Sequence, residues 1–485
     1  IGGLALTSNT TGPSNTAVGY VALTANTTGT QNVAVGAYAL DANISSNNST
    51  AIGYAALSLN TGASNTAVGA SAMVDNTSGV NNTAIGVNSL TNNTTASFNI
   101  ALGGSSLAAN TTGASNTAVG YTALTANTTA SNSTAVGYQA LTANTTGATN
   151  TAFGKGALLA NTTGNTNVAV GANALAANVD GDKSVAVGVD ALAAQDPASN
   201  VDMYNVAVGD SAGKSVTTGV ENTLIGALAG DAITTASNTT AVGKSALGAN
   251  TTGNNNTAVG YNAMDAATTG IQNSALGANA LGALTTGNNN VGLGVGAGVG
   301  TTTGGSNVAI GISALASNTT SGQNIAIGQD TLYYNTAEYN TAVGHNTMVA
   351  NTSGTYNVAV GAFALDANTT ASNNTAVGYA SLGANTSGTQ NTALGAFALD
   401  ANTTAANNTA LGFQALTSTT TGAGNVAVGA GAMTLSTGQR NAVLGHLAMD
   451  AAGAGSYSVA IGYAALSTNT SGNFNVAIGD SALIS

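Results

Sequence analysis

The chain has 485 residues, of which 5% are charged, with five Lys and Arg against 17 Asp and Glu and a net charge of −12. This balance argues against a nucleic-acid-binding protein, because no basic stripe is present to displace counterions from phosphate. The absence of Cys excludes disulfides and thiolate metal sites, and no run of about 18 apolar residues predicts a membrane span. We expect no cofactor and no membrane insertion in this segment.

A glycine recurs at a nearly fixed interval from Gly2 to Gly479. Taking the Gly that follows Asn-Thr-Ala-Val as an anchor gives 29 anchors, and 24 of the 28 intervals are 17 residues long. Three intervals are 16 residues, and the one that ends at Gly209 is 21. Such self-similarity is typical of a solenoid, in which each repeat is one structural unit stacked on the next.

Each repeat reads Asn-Thr-Ala-Val-Gly-x-x-Ala-Leu-x-x-Asn-Thr-Thr-Gly-x-x. The Thr-Ala-Val segment alternates as a strand does, and Ala-Leu predicts a second short strand. Asn-Thr-Thr-Gly is typical of a turn. The fixed Gly and the shortness of every apolar run argue against helices. We therefore predict two short strands and two bends in each coil.

In-register stacking of coils places identical residues on top of one another, about 4.8 Å apart. The asparagines four residues before the anchor should then form a ladder in which each amide donates to the next coil. The predicted ladder includes Asn15, Asn32, Asn65, Asn116 and Asn150. The predicted core consists of the Val before the anchor and the Leu four residues after it, as in Val18, Leu23, Val119, Leu124, Val136 and Leu141.

These patterns predict an all-β fold, a parallel β-solenoid of the β-roll or left-handed β-helix type with 17-residue coils. Residues 1–485 should form a single continuous repeat array, on the order of 130 Å long. Its first and last units resemble the others, which suggests an excerpt of, or a unit in, a longer fibre. A triangular monomeric left-handed β-helix is the alternative fold, although only one hexapeptide in each coil fits it.

The free energy gained by burying the apolar side chains of one coil is small compared with the entropic cost of ordering its 17 residues, and no disulfide or metal cross-link is available. Self-association along the length of the array is the simplest remedy. We expect a homo-oligomer, with a trimer favoured and a head-to-tail polymer as the alternative. A surface glycan or a protein receptor is the expected external partner, and nucleic acid is not.

The unit Asn-Thr-Ala-Val-Gly-x-x-Ala resembles the Asn-Ser-Val-Ala-Ile-Gly-x-x-Ala unit of trimeric autotransporter adhesin heads. The longer run that begins at Asn116 and ends in Asn-Thr-Thr-Gly resembles repeats of bacterial and phage tail-fibre-like proteins. The resemblance covers essentially the whole chain. It implies a β-roll that trimerises, and a place at a cell or virion surface.

Few other residues suggest a site. Gly209 to Ser215 resembles a phosphate-binding loop with one residue too few between its glycines and no following helix. Asp180 and Asp182, beside the 21-residue interval, are a Ca²⁺ candidate to be set against a bulged surface loop. His345 and His446 share a repeat position six coils apart, so they cannot bind one metal within one chain. Tyr after the anchor, as in Tyr121, should be partly exposed and open to glycan or protein contact.

Three functional hypotheses remain on sequence alone. The first is a non-enzymatic, adhesin-like structural fibre outside the cell or on a virion. The second is an extracellular filament that assembles head to tail. The third is an ice-binding solenoid, although no Thr-x-Thr pair lies on one strand face. Asn-Thr-Thr turns also match the acceptor motif of N-glycosylation.

Overall fold

The computed structural model describes residues 1–435, 437–451 and 453–484, and it confirms a parallel β-solenoid with 17-residue coils. Each coil contributes one three-residue strand that ends immediately before the anchor glycine. The expected second strand is wrong: Ala123 and Leu124 lie in a run of turns. No helix occurs in the described part of the chain.

Two compact units divide the chain, Ile1–Lys244 and Ser245–Ser485. The strands of the first unit are β1 Thr16–Val18, β2 Val33–Val35, β3 Thr50–Ile52, β4 Thr66–Val68, β5 Thr83–Ile85, β6 Ile100–Leu102, β7 Thr117–Val119, β8 Thr134–Val136, β9 Thr151–Phe153, β10 Val168–Val170, β11 Val185–Val187, β12 Val206–Val208, β13 Thr223–Ile225 and β14 Thr240–Val242.

The strands of the second unit are β15 Thr257–Val259, β16 Ser274–Leu276, β17 Val291–Leu293, β18 Val308–Ile310, β19 Ile325–Ile327, β20 Thr341–Val343, β21 Val358–Val360, β22 Thr375–Val377, β23 Thr392–Leu394, β24 Thr409–Leu411, β25 Val426–Val428, β26 Ala442–Leu444, β27 Val459–Ile461 and β28 Val476–Ile478. Within each unit, every strand pairs in parallel with its chain neighbour, and equivalent residues lie opposite one another, as Ala118 does with Ala135.

The anchor glycine is required by close packing between coils. Gly120 has a φ of 138°, and a Cβ added to it would overlap the carbonyl oxygen of Gly137 in the next coil. A side chain here would therefore meet both backbone strain and backbone atoms. The same conflict recurs at the other anchors that are followed by a coil of the same unit, which explains the constancy of this position.

Left-handed backbone outside glycine is a second regular feature of the coil. In the coil that follows Gly120, Thr122, Leu124 and Asn132 have φ values of 53°, 52° and 62°. Such values are unusual for a bulky residue such as Leu. They turn the N–H groups along the stack: Leu124 N–H donates to Ala140 O at 3.0 Å, and Asn132 N–H donates to Ala114 O at 3.1 Å. The turns thereby gain bonds between coils like those of the strands.

In most coils the core takes one Ala from the strand and an Ala-Leu pair from the following turn. Ala118, Ala123 and Leu124 are each fully buried. Leu23 and Leu141 are buried in the same way, as the sequence indicates. The core assignment of the Val before the anchor is wrong within one chain, because Val18 is 37% exposed, and Val119 and Val136 are partly exposed as well.

The asparagines four residues before the anchor tie neighbouring coils together. In the first unit, Asn32 donates its amide to Ser46 O of the next coil at 2.8 Å, and its Oδ1 accepts the N–H of Ser49 at 3.0 Å. Asn15, Asn65, Asn116 and Asn150 make the same two kinds of bond. The predicted ladder therefore exists, but most of its bonds run from side chain to backbone.

A second ladder, missed at the sequence level, runs through the asparagines seven residues after the anchor, which we call the turn asparagines. Asn127 Nδ2 donates to Asn110 Oδ1 at 2.8 Å, and Asn144 Nδ2 donates to Asn127 Oδ1 at 3.0 Å. These residues are fully buried. Each also donates to a carbonyl of its own turn, as Asn127 does to Ala130 O at 3.1 Å, so the amides close the turn and join the coils.

Departures from the repeat compensate for one another in volume. Gly213 and Gly230 replace the core Leu. A Cβ added to Gly213 would meet Leu224 and Val216, and one added to Gly230 would meet Leu224 and Ile233. Val216 and Ile233 stand where other coils carry the turn asparagine, and both are buried. An apolar side chain from the turn thus fills the space that the missing Leu leaves, since protein interiors are close-packed.

Candidate functional site: the exposed face of the strands

Two columns of side chains point outward from the strands, and we call them the strand face. They are the residues three positions and one position before each anchor, on either side of the buried Ala. Alternation along a strand sends neighbouring side chains to opposite sides, so burial of the Ala exposes both columns. The exposed fraction is 55% at Phe153 and reaches 68% at Ile478.

In both units the column just before the anchors is apolar in every described strand, whereas the other column mixes Thr and Ser with Val, Ile and Ala. The exposed large apolar residues of the strand face in the first unit are Val18, Ile52, Ile85, Ile100, Phe153, Val208 and Ile225, and in the second unit Leu276, Val291, Leu293, Ile325, Val358, Val360, Leu394, Leu411, Val426, Leu444, Ile461, Val476 and Ile478. None of the described strands contains a charged residue. An exposed apolar surface that is contiguous in this way usually indicates an interaction site.

The second unit carries a shallow hollow on its strand face. Its volume is about 180 Å³, and it lies between the two columns at Val259, Leu276, Val291 and Leu293. Gly292 replaces the inward Ala at its floor. An added Cβ at Gly292 would lie 2.8 Å from Leu281 Cγ, so the Gly makes room for the Leu below. The hollow is a local depression of the strand face.

Aromatic side chains form ladders just beyond the anchor glycine. In the second unit the rings alternate between the first and second residue after the anchor, in the order His345, Phe363, Tyr379, Phe397, Phe413. Their centroids are 5.3 to 6.2 Å apart, and the rings meet edge to face, the geometry that the ring quadrupole favours. In the first unit, Tyr20, Tyr38 and Tyr54 form a shorter ladder of the same kind. The partial exposure expected of these Tyr residues is confirmed, for example at Tyr121.

Two carboxyl groups lie beside the longer ladder. Asp366 and Asp400 occupy the same repeat position two coils apart, with Gly383 between them. An added Cβ at Gly383 would lie 2.8 Å from Asp400 Oδ1 and 3.4 Å from Asp366 Oδ1. Partial burial raises the pKa of both carboxyl groups, as expected where the charged form loses water.

The 21-residue coil carries the described ion pairs of the first unit. Lys183 Nζ lies 2.7 Å from Asp202 Oδ2, and Tyr204 also donates to that carboxylate at 3.0 Å. These two donors lower the pKa of Asp202, the Lys183 bond most. Lys214 pairs with Asp190 at 3.2 Å. Both pairs join the longer coil to a neighbouring coil, and exposed pairs of this kind contribute little to stability.

Asp180 and Asp182, the Ca²⁺ candidate, do not converge on a common point in the way a cation site requires. Asp180 Oδ1 accepts the Thr163 hydroxyl at 2.6 Å, and Asp182 Oδ1 accepts the N–H of Asn165 at 2.6 Å. Both carboxylates therefore bind the preceding coil. Across residues 1–435, 437–451 and 453–484, no group of three or more His, Asp or Glu is placed to hold a metal ion.

The remaining sequence motifs are parts of the repeat. Gly209 is an anchor glycine with a φ of 139°, Gly213 occupies a core position, and Lys214 is paired with Asp190. His345 stacks edge to face on Phe363, while His446 packs against Tyr463. The described residues include no helix long and apolar enough to cross a lipid bilayer. No protein-family model matches the chain, and no curated protein matches it.

Proposed function

We propose that the protein is a non-enzymatic structural component of an extracellular fibre, similar to an adhesin, that self-associates through its strand face. The observation that supports this most directly is the uncharged strand face of each unit, with its exposed apolar column. A catalytic protein would need a pocket with convergent polar groups, whereas this chain repeats one surface. The fibre belongs at a cell or virion surface.

The magnitude of the exposed apolar surface agrees with association. Burying the exposed part of one Val, Ile or Leu side chain contributes about 1 kcal/mol. One such residue from each of 14 strands in a unit then contributes on the order of 10 kcal/mol. Losing the freedom of separate chains costs roughly 4–15 kcal/mol. The free energy gained by burying the strand faces of both units therefore exceeds most of the range estimated for this cost.

A second copy of the chain is the partner that this face fits best. Every coil presents the same two columns, so copies aligned in parallel match coil by coil. Rotation about the common axis then produces a closed ring of strand faces, and we propose three chains. The aromatic ladders lie beyond the bend at the anchor glycine, where a glycan or protein receptor can reach them.

Analytical ultracentrifugation tests self-association. The wild-type chain should sediment at three times 46.1 kDa at micromolar concentration. Leu394→Glu with Leu411→Glu, on adjacent strands, should release monomers with an unchanged circular dichroism spectrum, because both sites are exposed in one chain. The matched control is Ser387→Glu with Thr404→Glu, on the exposed turn of the same coils. A wild-type monomer, or equal assembly of both double variants, would refute the proposal.

A further inference from the structure

Nearly all Asn-x-Ser/Thr triplets lie in one of two structurally different places in the coil; the two exceptions begin at Asn47 and Asn92. In the first place the acceptor is a turn asparagine. Its side chain is buried, as at Asn26, Asn110 and Asn127. Asn110 Nδ2 is committed to Asn93 Oδ1 at 3.0 Å and to Gly113 O at 2.9 Å. A sugar attached to this nitrogen would have to break the ladder and enter the core, so these frequent triplets are blocked in the folded chain.

In the second place the acceptor stands five residues before the anchor, at the left-handed corner that leads into the strand. The triplet is complete where this residue is Asn and the strand begins with Thr. The seven such asparagines are Asn48, Asn81, Asn132, Asn238, Asn255, Asn373 and Asn407. All seven are exposed, and the described part of the structure gives their side-chain amides no hydrogen bond.

The corner presents both groups of the triplet at the surface. Asn132 has a φ of 62° and bonds to the neighbouring coil through its backbone alone, from N–H to Ala114 O. Asn tolerates the left-handed region without the strain of a bulky residue. Thr134, two residues later, begins β8 and is half-buried. A transferase that approaches this corner therefore meets an exposed amide beside a half-buried Thr without unfolding the coil.

We propose that these seven corner asparagines are acceptor sites for N-linked glycosylation, and that the turn asparagines are not. The co-substrate is an activated sugar, either a nucleotide sugar or a lipid-linked one. Its anomeric carbon forms a bond to Asn Nδ2, its bond to the phosphate leaving group breaks, and the amide proton passes to a base of the transferase. The Thr of each triplet begins a strand and lies on the strand face, so the sugar is added before the chains associate.

The test uses the folded full-length chain carrying Leu394→Glu and Leu411→Glu, which keep the strand face free, together with a soluble N-glycosyltransferase and UDP-glucose, and maps the sites by mass spectrometry. Hexose is expected on the corner asparagines and not on Asn110 or Asn127. Two free peptides, spanning residues 104–115 and 129–140, serve as controls, because each contains one triplet outside the fold. Both peptides should be modified, which assigns any difference in the folded chain to structure.

Two variants make the test specific. Asn132→Gln removes the acceptor, and Thr134→Val removes the hydroxyl while keeping Asn132 exposed. Val stands at the same strand position in β2 and β10, so the coil should fold. Each variant should lose hexose at residue 132 only. Absence of hexose from the corner asparagines while the free peptides are modified would overturn the proposal, and so would modification of Asn110 in the folded chain.

Discussion

Replacement of one turn asparagine by alanine should open the coils around it. Asn127→Ala removes the donor to Asn110 Oδ1 and the acceptor of Asn144 Nδ2, both within a fully buried ladder. Ala130 O also loses a bond, but it keeps the amide of Asn116 at 2.8 Å. Two buried groups therefore lose a partner, at about 1–3 kcal/mol each. We expect a loss of about 4 kcal/mol in local stability.

Hydrogen exchange measured by mass spectrometry on the full chain is the suitable assay, because long repeat arrays need not unfold in one step. At fixed protein concentration, amides of the coils next to residue 127 should lose protection by about 10³-fold. The control Thr129→Ala removes an exposed side chain two residues away and should change stability by less than about 0.5 kcal/mol. Equal exchange in the two variants would refute the stabilising role assigned to the amide ladder.

Three further changes test other parts of the coil. Ala118→Phe should lower the stability measured by thermal unfolding by more than about 2 kcal/mol, because the core would be overpacked. Tyr121→Ala changes a side chain that is 59% exposed and should lower stability less. The reverse order would contradict the conclusion that Ala118 points inward. Gly230→Leu should lower the melting temperature, since an added Cβ would lie 2.7 Å from Ile233 Cδ1, and an unchanged melt would argue against the volume compensation. Burial raises the pKa of Asp366 above 3.8, so its charged form destabilises the fold at neutral pH. At pH values above that raised pKa, Asp366→Asn should therefore increase the melting temperature, and the gain should disappear as the pH falls below 3.8. A gain that does not depend on pH would contradict this reasoning.

The period of the anchor glycine is sufficient to predict the solenoid, its parallel register and its 17-residue coils. The reason is physical: a position that recurs every coil and tolerates only Gly indicates a backbone contact with the next coil, as at Gly120 and Gly137. The burial of Leu124 follows from its size in a chain with few large apolar residues. The asparagine ladder follows from placing like residues on one another.

The direction of the strand side chains could not be predicted in the same way. Alternation shows that Ala and Val of Thr-Ala-Val point to opposite sides, but it does not show which side is inside. Hydrophobicity favoured Val119 for the core, whereas the coil is so thin that only Ala118 fits beside Leu124. The second predicted strand failed because Leu124 adopts a left-handed conformation, which its residue type argues against. The corner asparagines required knowledge of burial, since their triplet is the same as that of the turn.

The left-handed residues in every coil have a consequence for how the chain folds. Each left-handed Thr or Leu costs about 1–2 kcal/mol in backbone energy, and a coil such as that of Thr122 and Leu124 contains both, besides the better tolerated Asn132. The bonds that offset this cost all cross to another coil, as from Leu124 to Ala140 and from Asn132 to Ala114. A lone coil therefore has the strain without the compensation. Folding should begin with a slow nucleus of several adjacent coils and then spread rapidly in both directions, one coil at a time, as the chain adds to an ordered end.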